Sequence, residues 1–126
     1  MSVYGIGSDI IDIDRIKKAL KNKNFKKKIF SNNEIKTIEK KTNKIAIYAK
    51  RYAAKEAFSK ALGTGMSGGI SFKNITIIND KKGRPYIELL GKTSTEVQRI
   101  IKKRYKTFLT ISDEKKYALA MVIITY

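Results

Sequence analysis

The sequence predicts an α+β fold, and three observations support this class. Residues 3–11 are rich in β-branched and aromatic side chains, as in a strand. Residues 45–62 are rich in alanine and contain no glycine or proline, as in a long helix. The C-terminal part holds two β-patterned runs around a polar turn, as in a hairpin. With 126 residues and 42% hydrophobic content, we expect residues 1–126 to form a single domain.

The first strand is expected to lead directly into a short helix. Residues 3–11 contain polar side chains near their end, at Ser8 and Asp9, and Asp12 is a residue type that caps helices. The apolar residues that follow recur at helical spacing, while the residues between them are mostly basic. The apolar positions of this short basic helix are Ile13, Ile16 and Leu20.

Two further helices are expected before the middle of the chain. Ser31 and Glu34 have the spacing of a capping box, which predicts a helix that runs to about Lys41. The long helix over residues 45–62 should end at Gly63, because glycine readily adopts the left-handed conformation after a helix.

The second half of the chain is expected to form two hairpins with a helix between them. The four β-patterned runs cover residues 70–78, 85–90, 107–112 and 117–125. Thr93 or Ser94 is a candidate cap for the intervening helix. The last run is apolar on both faces, which suits a strand between its own core and a neighbouring subunit.

The chain is strongly basic, with 28 lysines and arginines against 11 acidic residues and a net charge of +17. This charge predicts attraction to nucleic acid, an anionic membrane, or an acidic ligand or protein, and it is equally consistent with a solvated basic surface. Seven tyrosines and five phenylalanines could stack bases in a small nucleic-acid-binding module. We disfavour that alternative because these aromatic residues mostly occupy core-like positions, so we expect no nucleic-acid partner.

Several classes of chemistry are excluded by composition. The sequence contains no cysteine, which removes disulfides and thiol chemistry, and no histidine. Acid–base work must therefore be done by carboxylates, lysines, tyrosines or water. No apolar run approaches the roughly 20 residues that span a bilayer, and no signal sequence is visible, so we expect no membrane association.

The long helix carries a polar half that has two interpretations. At 100° per residue, this half contains Arg51, Tyr52, Lys55, Glu56, Ser59 and Lys60. One interpretation is a surface helix with an ordinary pair between residues 56 and 60. The other is a magnesium site, because Mg²⁺ needs one or two carboxylates and Asp9, at the end of an otherwise apolar strand, would supply the second.

A glycine-rich loop over residues 63–69 follows the long helix. Its position after a helix lacks the strand–loop–helix order of known phosphate-binding loops. The loop could serve as a helix end and turn, or its backbone amides could approach a pyrophosphate.

Two stretches of the sequence read GIGSDIIDIDRI over residues 5–16 and RYAAKEAFSKALGTG over residues 51–65. They resemble the two signatures of the holo-acyl-carrier-protein synthase family, whose members are phosphopantetheinyl transferases. The likeness continues through GRPY at residues 83–86 and the segment 111–124, so it covers nearly the whole chain. It implies the 4'-phosphopantetheinyl transferase fold, an antiparallel sheet packed with helices around one long central helix.

The resemblance also implies an activity and a set of site residues. Phosphopantetheine would pass from the co-substrate coenzyme A to a serine of apo-acyl carrier protein, with Mg²⁺ as cofactor, for fatty acid biosynthesis. It implies Asp9 and Glu56 as magnesium ligands, and Lys60 near the reacting phosphate. Without histidine, Glu56 or a coordinated water is the expected proton acceptor. The implied coenzyme A contacts are Arg51, Lys60, Gly63, Thr64 and Gly65.

The partners implied by the resemblance are an acidic carrier protein and two further copies of the chain. Arg15 and Lys18 on the short basic helix would dock the carrier protein, and the small bacterial-type members are homotrimers. A cytoplasmic location is expected, or an organelle lumen if a transit peptide has been removed. One departure stands out: where the family often has a histidine near the 3'-phosphate of coenzyme A, this chain has Asp113 followed by Glu114. Lys115 or Lys116 could compensate this acidic charge.

Overall fold

The computed structural model describes residues 1–64 and 68–126. Its helices and strands are, in chain order, β1 (Val3–Asp12), α1 (Ile13–Ala19), α2 (Lys23–Ile29), α3 (Asn32–Ile38), α4 (Lys44–Leu62), β2 (Ile75–Asn79), β3 (Pro85–Leu89), α5 (Gly91–Ile101), β4 (Lys106–Asp113) and β5 (Tyr117–Thr125). A short 3₁₀ turn, Phe72–Asn74, precedes β2. Helices and antiparallel sheets with one long helix confirm the α+β prediction.

The larger sheet has the strand order β1–β5–β4, and both neighbouring pairs are antiparallel. Side chains alternate along β5, so that one face is buried against α4 while the other is exposed. The buried side chains are Ala118, Ala120, Val122 and Ile124. The exposed face carries apolar side chains from all three strands, namely Ile6, Ile10, Phe108, Leu119 and Met121.

Helix α4 lies unusually close to β1, because two glycines of the strand face it. A Cβ atom added to Gly7 would lie 1.9 Å from the backbone oxygen of Ala57, and one added to Gly5 would lie 1.9 Å from that of Ala61. Distances this short are excluded by van der Waals repulsion, so only glycine permits this approach. The approach fixes the position of the helix against the strand.

A buried ion pair connects α3, α4 and the segment that leads into β2. Lys55 Nζ lies 2.7 Å from Glu34 Oε1, and it also donates to the carbonyl oxygens of Phe72 and Ile75, both at 2.8 Å. Glu34 forms the expected capping box with Ser31. Its other oxygen, Oε2, accepts a hydrogen bond from the backbone of Ile77 at 3.2 Å.

Several element boundaries differ from those expected. Residues 23–29 form α2, which begins at the cap Asn22 and was not expected. The capping-box helix ends at Ile38 rather than near Lys41, because a turn follows.

The differences continue in the second half of the chain. The run expected as a strand over residues 70–78 is a strand only from Ile75, since a 3₁₀ turn comes before it. Helix α5 begins at Gly91 without a side-chain cap, so neither Thr93 nor Ser94 caps it. Thr93 lies inside the helix, where its hydroxyl bonds to the backbone of Gly69 and Ser71.

Candidate active site

The candidate site lies where α4 packs on β1. Tyr52, Glu56 and Lys60 recur every four residues along α4 and therefore share one face of the helix. Asp9 lies two residues after Gly7 on β1, so it shares the strand face that packs on α4. The glycine contacts described above bring this strand face and this helix face together.

Hydrogen bonds join these residues in two pairs. Lys60 Nζ lies 3.2 Å from Asp9 Oδ1 and donates to the carbonyl oxygen of Ser8 at 2.9 Å. The Tyr52 hydroxyl donates to Glu56 Oε1 at 3.1 Å. The Asp9 side chain is only 16% exposed, whereas that of Lys60 is 55% exposed. The cation therefore covers the carboxylate from the solvent side.

Charged groups from three elements affect the hydroxyl group of Tyr52. Burial raises the pKa of Tyr52 to about 12, and the negative charges of Glu56 and Asp9 contribute to the increase. The positive charge of Arg15 acts in the opposite direction. The hydroxyl of Tyr52 therefore lies within electrostatic reach of both carboxylates and of α1.

The interpretation of α4 as a surface helix is wrong for three of the six residues assigned to its polar half. Lys55 is fully buried, and Arg51 and Ser59 are also buried. Burial lowers the pKa of Lys55 to about 8, while the adjacent Glu34 carboxylate opposes this decrease. Within the described part of the chain, the ion pair of Lys60 is with Asp9 and not with Glu56, its neighbour along the helix.

Arg51 lies apart from the other candidate residues. It lines a cleft of about 390 Å³ between α4, α3 and the two sheets, together with Lys41, Lys50 and Asn43. Glu56 lies five positions after Arg51, so at about 100° per residue the two side chains lie about 140° apart around the helix axis. Burial lowers the pKa of Arg51, and the charge of Glu34 opposes this decrease. One chain therefore presents Arg51 and the carboxylates on different sides of α4.

Asp113, the acidic residue where the family often has histidine, lies at the end of β4 and has a basic neighbour that the sequence did not indicate. Asp113 Oδ1 lies 3.4 Å from Lys50 Nζ, and Lys50 also lines the cleft of Arg51. This ion pair joins α4 to β4, and the suggested compensation by Lys115 or Lys116 stays a prediction.

The loop after α4 is described only in part. Gly63 has the expected left-handed conformation, with φ of 85°, and its N–H donates to the carbonyl oxygen of Ser59 at 3.1 Å. Thr64 follows and is exposed. Gly65, the third loop residue expected to contact coenzyme A, lies outside the described residues.

The two expected docking residues lie on α1 and are exposed. Lys18 Nζ lies 3.2 Å from Asp14 Oδ2, one turn earlier on the same helix, and both side chains are well exposed. Such exposed pairs contribute little and leave both charges available to a partner. Asp12 caps the helix as expected, by accepting from the backbone of Asp14 at 2.8 Å.

The residues of the site fit a magnesium ion better than a softer metal. Asp9 and Glu56 offer oxygen ligands from two different elements, and Mg²⁺ binds through one or two carboxylates while phosphates and water complete its shell. Residues 1–64 and 68–126 contain no group of three or more histidine, cysteine or acidic side chains that would form an all-protein metal site. The same residues contain no helix long and apolar enough to cross a membrane.

Comparison with known proteins identifies the family. Residues 5–122 match the family model of the 4'-phosphopantetheinyl transferase superfamily, and the chain belongs to this family. It is 51% identical to the holo-[acyl-carrier-protein] synthase of Pelagibacter ubique, with 98% of each chain covered. The protein is accordingly an enzyme of the transferase class, which confirms the recognition made from the two signature stretches.

Solved structures confirm the fold. The crystal structure of the holo-[acyl-carrier-protein] synthase from Neisseria meningitidis matches with a TM-score of 0.89 at 34% identity, over 98% of this chain and 99% of that one. The enzyme from Bacillus anthracis, in complex with CoA (3',5'-ADP), matches with a TM-score of 0.80 at 32% identity, over 98% and 97% of the two chains.

Three features of the site were missed by the sequence interpretation. The hydrogen bond from Tyr52 to Glu56 could have been predicted from the sequence, because residues four apart on a helix are neighbours. The buried pair of Glu34 and Lys55 could not have been predicted from the sequence, since it depends on the packing of α3 against β2. The pair of Lys50 and Asp113 joins residues distant in sequence.

Proposed function

We propose that this enzyme transfers the 4'-phosphopantetheine group from coenzyme A to a serine of an apo-acyl carrier protein. The observation that carries this proposal is the ion pair of Asp9 and Lys60, on two elements held together by glycine contacts, with Glu56 one turn before Lys60 on α4. Its support is that relatives named holo-[acyl-carrier-protein] synthase match nearly the full chain. Carrier proteins modified in this way serve fatty acid biosynthesis, which is the proposed role.

The proposed reaction is a phosphoryl-type transfer. The serine oxygen of the carrier protein forms a bond to the β-phosphorus of coenzyme A. The bond from this phosphorus to the bridging pyrophosphate oxygen breaks, and adenosine 3',5'-bisphosphate leaves with that oxygen. The serine proton passes to Glu56 or to a coordinated water, since the chain has no histidine to accept it.

Catalysis of this kind depends mainly on positioning and on neutralising charge. Magnesium, when bound, would neutralise charge on the pyrophosphate, and Asp9 and Glu56 are the side chains that would hold it. Lys60 contributes a further positive charge beside Asp9, and its exposed ammonium group is available to a phosphate oxygen. The sequence-based assignment of Gly63, Thr64 and Gly65 to coenzyme A contacts remains part of the proposal.

We propose that the nucleotide end of coenzyme A binds in the cleft of Arg51. Lys41, Lys50 and Arg51 provide positive charge there, and Ile47 and Ile111 provide apolar surface. This combination suits an adenosine phosphate, which has an apolar ring and charged oxygens. Asp113 would partly cancel the charge of Lys50, so the contacts to the nucleotide phosphate differ from those of relatives with histidine there.

A homotrimer with shared active sites is part of the proposal. The cleft of Arg51 and the carboxylates lie on different sides of α4, so a second subunit would have to join the two parts around one coenzyme A molecule. The exposed apolar face of the larger sheet supplies surface for such an association. Sedimentation should give a trimer mass at micromolar protein, and Leu119→Lys should lower that mass and the activity together. A fully active monomer would contradict this part.

The proposed function is tested by mass spectrometry of the carrier protein. Purified enzyme is incubated with coenzyme A, Mg²⁺ and an apo-acyl carrier protein, and the product should be heavier by one phosphopantetheine group. Asp9→Ala and Glu56→Ala should each abolish most turnover at limiting Mg²⁺ while the fold stays intact by circular dichroism. If the wild-type enzyme does not modify the carrier protein, the proposed function is refuted. If either variant keeps a near wild-type rate at limiting Mg²⁺, the assignment of the site is refuted.

A further inference from the structure

The hydroxyl group of Tyr52 is a feature of the site that the proposed reaction does not use. It donates to Glu56 Oε1 at 3.1 Å, across one turn of α4. Tyr52 is half-buried, so this hydrogen bond is partly shielded from water. A donor on one oxygen of a carboxylate restrains the rotation of the group and leaves the second oxygen, here Oε2, to other partners.

The ring of Tyr52 packs against two other aromatic rings. Its centroid lies 6.1 Å from that of Phe25 on α2 and 6.1 Å from that of Phe72, with which it makes an edge-to-face contact. The backbone of Phe72 is fixed in turn, because its carbonyl oxygen accepts from buried Lys55 at 2.8 Å. The hydroxyl therefore projects from a ring whose position is set by two separate elements of the fold.

Metal-binding carboxylates in proteins are usually hydrogen-bonded by neighbouring groups that orient them. Loss of such a group typically weakens metal binding or activity by about 10- to 100-fold. Magnesium is demanding in this respect, because it requires near-ideal octahedral geometry. A Glu56 side chain restrained at Oε1 would offer Oε2 in a fixed direction, whereas an unrestrained one would have to be ordered when the ion binds.

We infer that Tyr52 is a positioning residue that holds Glu56 through Oε1 and directs Oε2 toward a divalent cation. This inference rests on the proposed function, in which Glu56 is a ligand of that cation. It assigns to Tyr52 no contact with the substrate and no proton transfer. Its consequence is specific: removal of the hydroxyl should weaken metal binding while the fold and the carrier-protein contacts stay unchanged.

The fold offers a matched control on the same helix. Tyr48 lies one turn before Tyr52, and its hydroxyl also donates to a glutamate, Glu39 Oε2, at 2.7 Å. Glu39 belongs to a structural cluster with Lys26 and Lys44 rather than to the site. Tyr48→Phe and Tyr52→Phe therefore remove the same group from the same helix in two different settings.

The test measures metal binding directly. Mn²⁺, used as a paramagnetic substitute for Mg²⁺, is titrated into the full-length enzyme with coenzyme A present, and free Mn²⁺ is followed by electron paramagnetic resonance. Tyr52→Phe should raise the dissociation constant about 10-fold. It should also raise the Mg²⁺ concentration for half-maximal rate by a similar factor, with the KM for carrier protein unchanged. Tyr48→Phe should lower the melting temperature and leave metal affinity as in the wild type.

Two outcomes separate failure of this inference from failure of the proposed function. If Glu56→Gln weakens Mn²⁺ binding and Tyr52→Phe does not, the positioning role of Tyr52 is wrong while the metal site stands. If Glu56→Gln itself binds Mn²⁺ like the wild type, the metal assignment fails, and the inference fails with it. Equal loss of metal affinity in Tyr48→Phe and Tyr52→Phe would show that the loss comes from general destabilisation of the protein, and it would overturn the inference.

Discussion

Replacement of Lys55 by methionine should destabilise the protein severely, although the residue contacts neither proposed substrate. The ammonium group donates to one carboxylate oxygen and two carbonyl oxygens, at 2.7, 2.8 and 2.8 Å. It also lies 5.3 Å from the centre of the Phe30 ring. Methionine keeps most of the apolar stem but removes a donor from all three acceptors, and Glu34 Oε1 keeps only the backbone N–H of Ser31.

The magnitude follows from the burial of the pair. Lys55 is 0% exposed and Glu34 is 2% exposed, so the remaining carboxylate would be charged and poorly solvated. Removing one partner of a buried pair costs about 3–5 kcal/mol, because it leaves an uncompensated charge. This is a large part of the roughly 5–15 kcal/mol that stabilises a typical domain. At about 4 °C per kcal/mol, the melting temperature should fall by roughly 12–20 °C.

The assay is thermal and urea unfolding followed by circular dichroism at pH 7. All variants are compared at one protein concentration, because self-association would add to the apparent stability. The matched control is Lys18→Met, which removes an exposed pair and should cost less than about 1 kcal/mol.

A double variant provides the decisive comparison. Adding Glu34→Gln to Lys55→Met removes the unpaired charge, so the double variant should be more stable than Lys55→Met alone. A loss below about 1 kcal/mol in Lys55→Met, or a double variant less stable than the single one, would refute the reasoning.

Three other predictions concern packing, docking and pH. Gly7→Ala should cost more than about 1 kcal/mol and reduce turnover, because its Cβ would meet the backbone of Ala57, and unchanged stability and rate would contradict the contact. Charge reversal at Arg15 together with Lys18 should raise the KM for the carrier protein far more than that for coenzyme A, and equal effects would argue against docking on α1. Hydrogen bonds from Tyr48, then from Lys44, lower the pKa of Glu39 from 4.5 to about 2. The stability contributed by this carboxylate should be complete above about pH 5 and be lost toward pH 2, so melting curves of wild type and Glu39→Gln should converge as pH falls.

Helix ends that depend only on residues close together in the sequence could be predicted. The capping box of Ser31 and Glu34 and the left-handed Gly63 after α4 each depend on a few neighbouring residues, and both are present. Helix α2 was missed although its cap is also local: the Asn22 side chain accepts from the backbone of Asn24 and Phe25. A lysine-rich segment of seven residues gives too weak an apolar pattern to reveal a helix.

Features that depend on distant packing could not be predicted. The helical wheel placed Lys55 on the polar half of α4, where a lysine is normally exposed. Its burial depends on Glu34 and on carbonyl groups 17 and 20 residues further along the chain. The same carbonyl groups belong to the 3₁₀ turn and the start of β2, and the strand expected over residues 70–78 begins only after this turn. A periodic pattern in sequence contains no information on such partners.

The two signature stretches contact each other in the fold, so that each determines the position of the other. Gly7 in the first stretch packs on the backbone of Ala57 in the second, and the spacing of two residues along β1 then sets Asp9 on the strand face that packs on α4. Lys60 reaches Asp9 because Ala57, one turn before it on α4, has only a methyl group as its side chain, which is too small to separate helix from strand. The small residues of both stretches therefore determine the distance between the acidic and basic groups. A substitution that enlarges either Gly7 or Ala57 should impair the site as surely as loss of a charged residue, by separating α4 from β1.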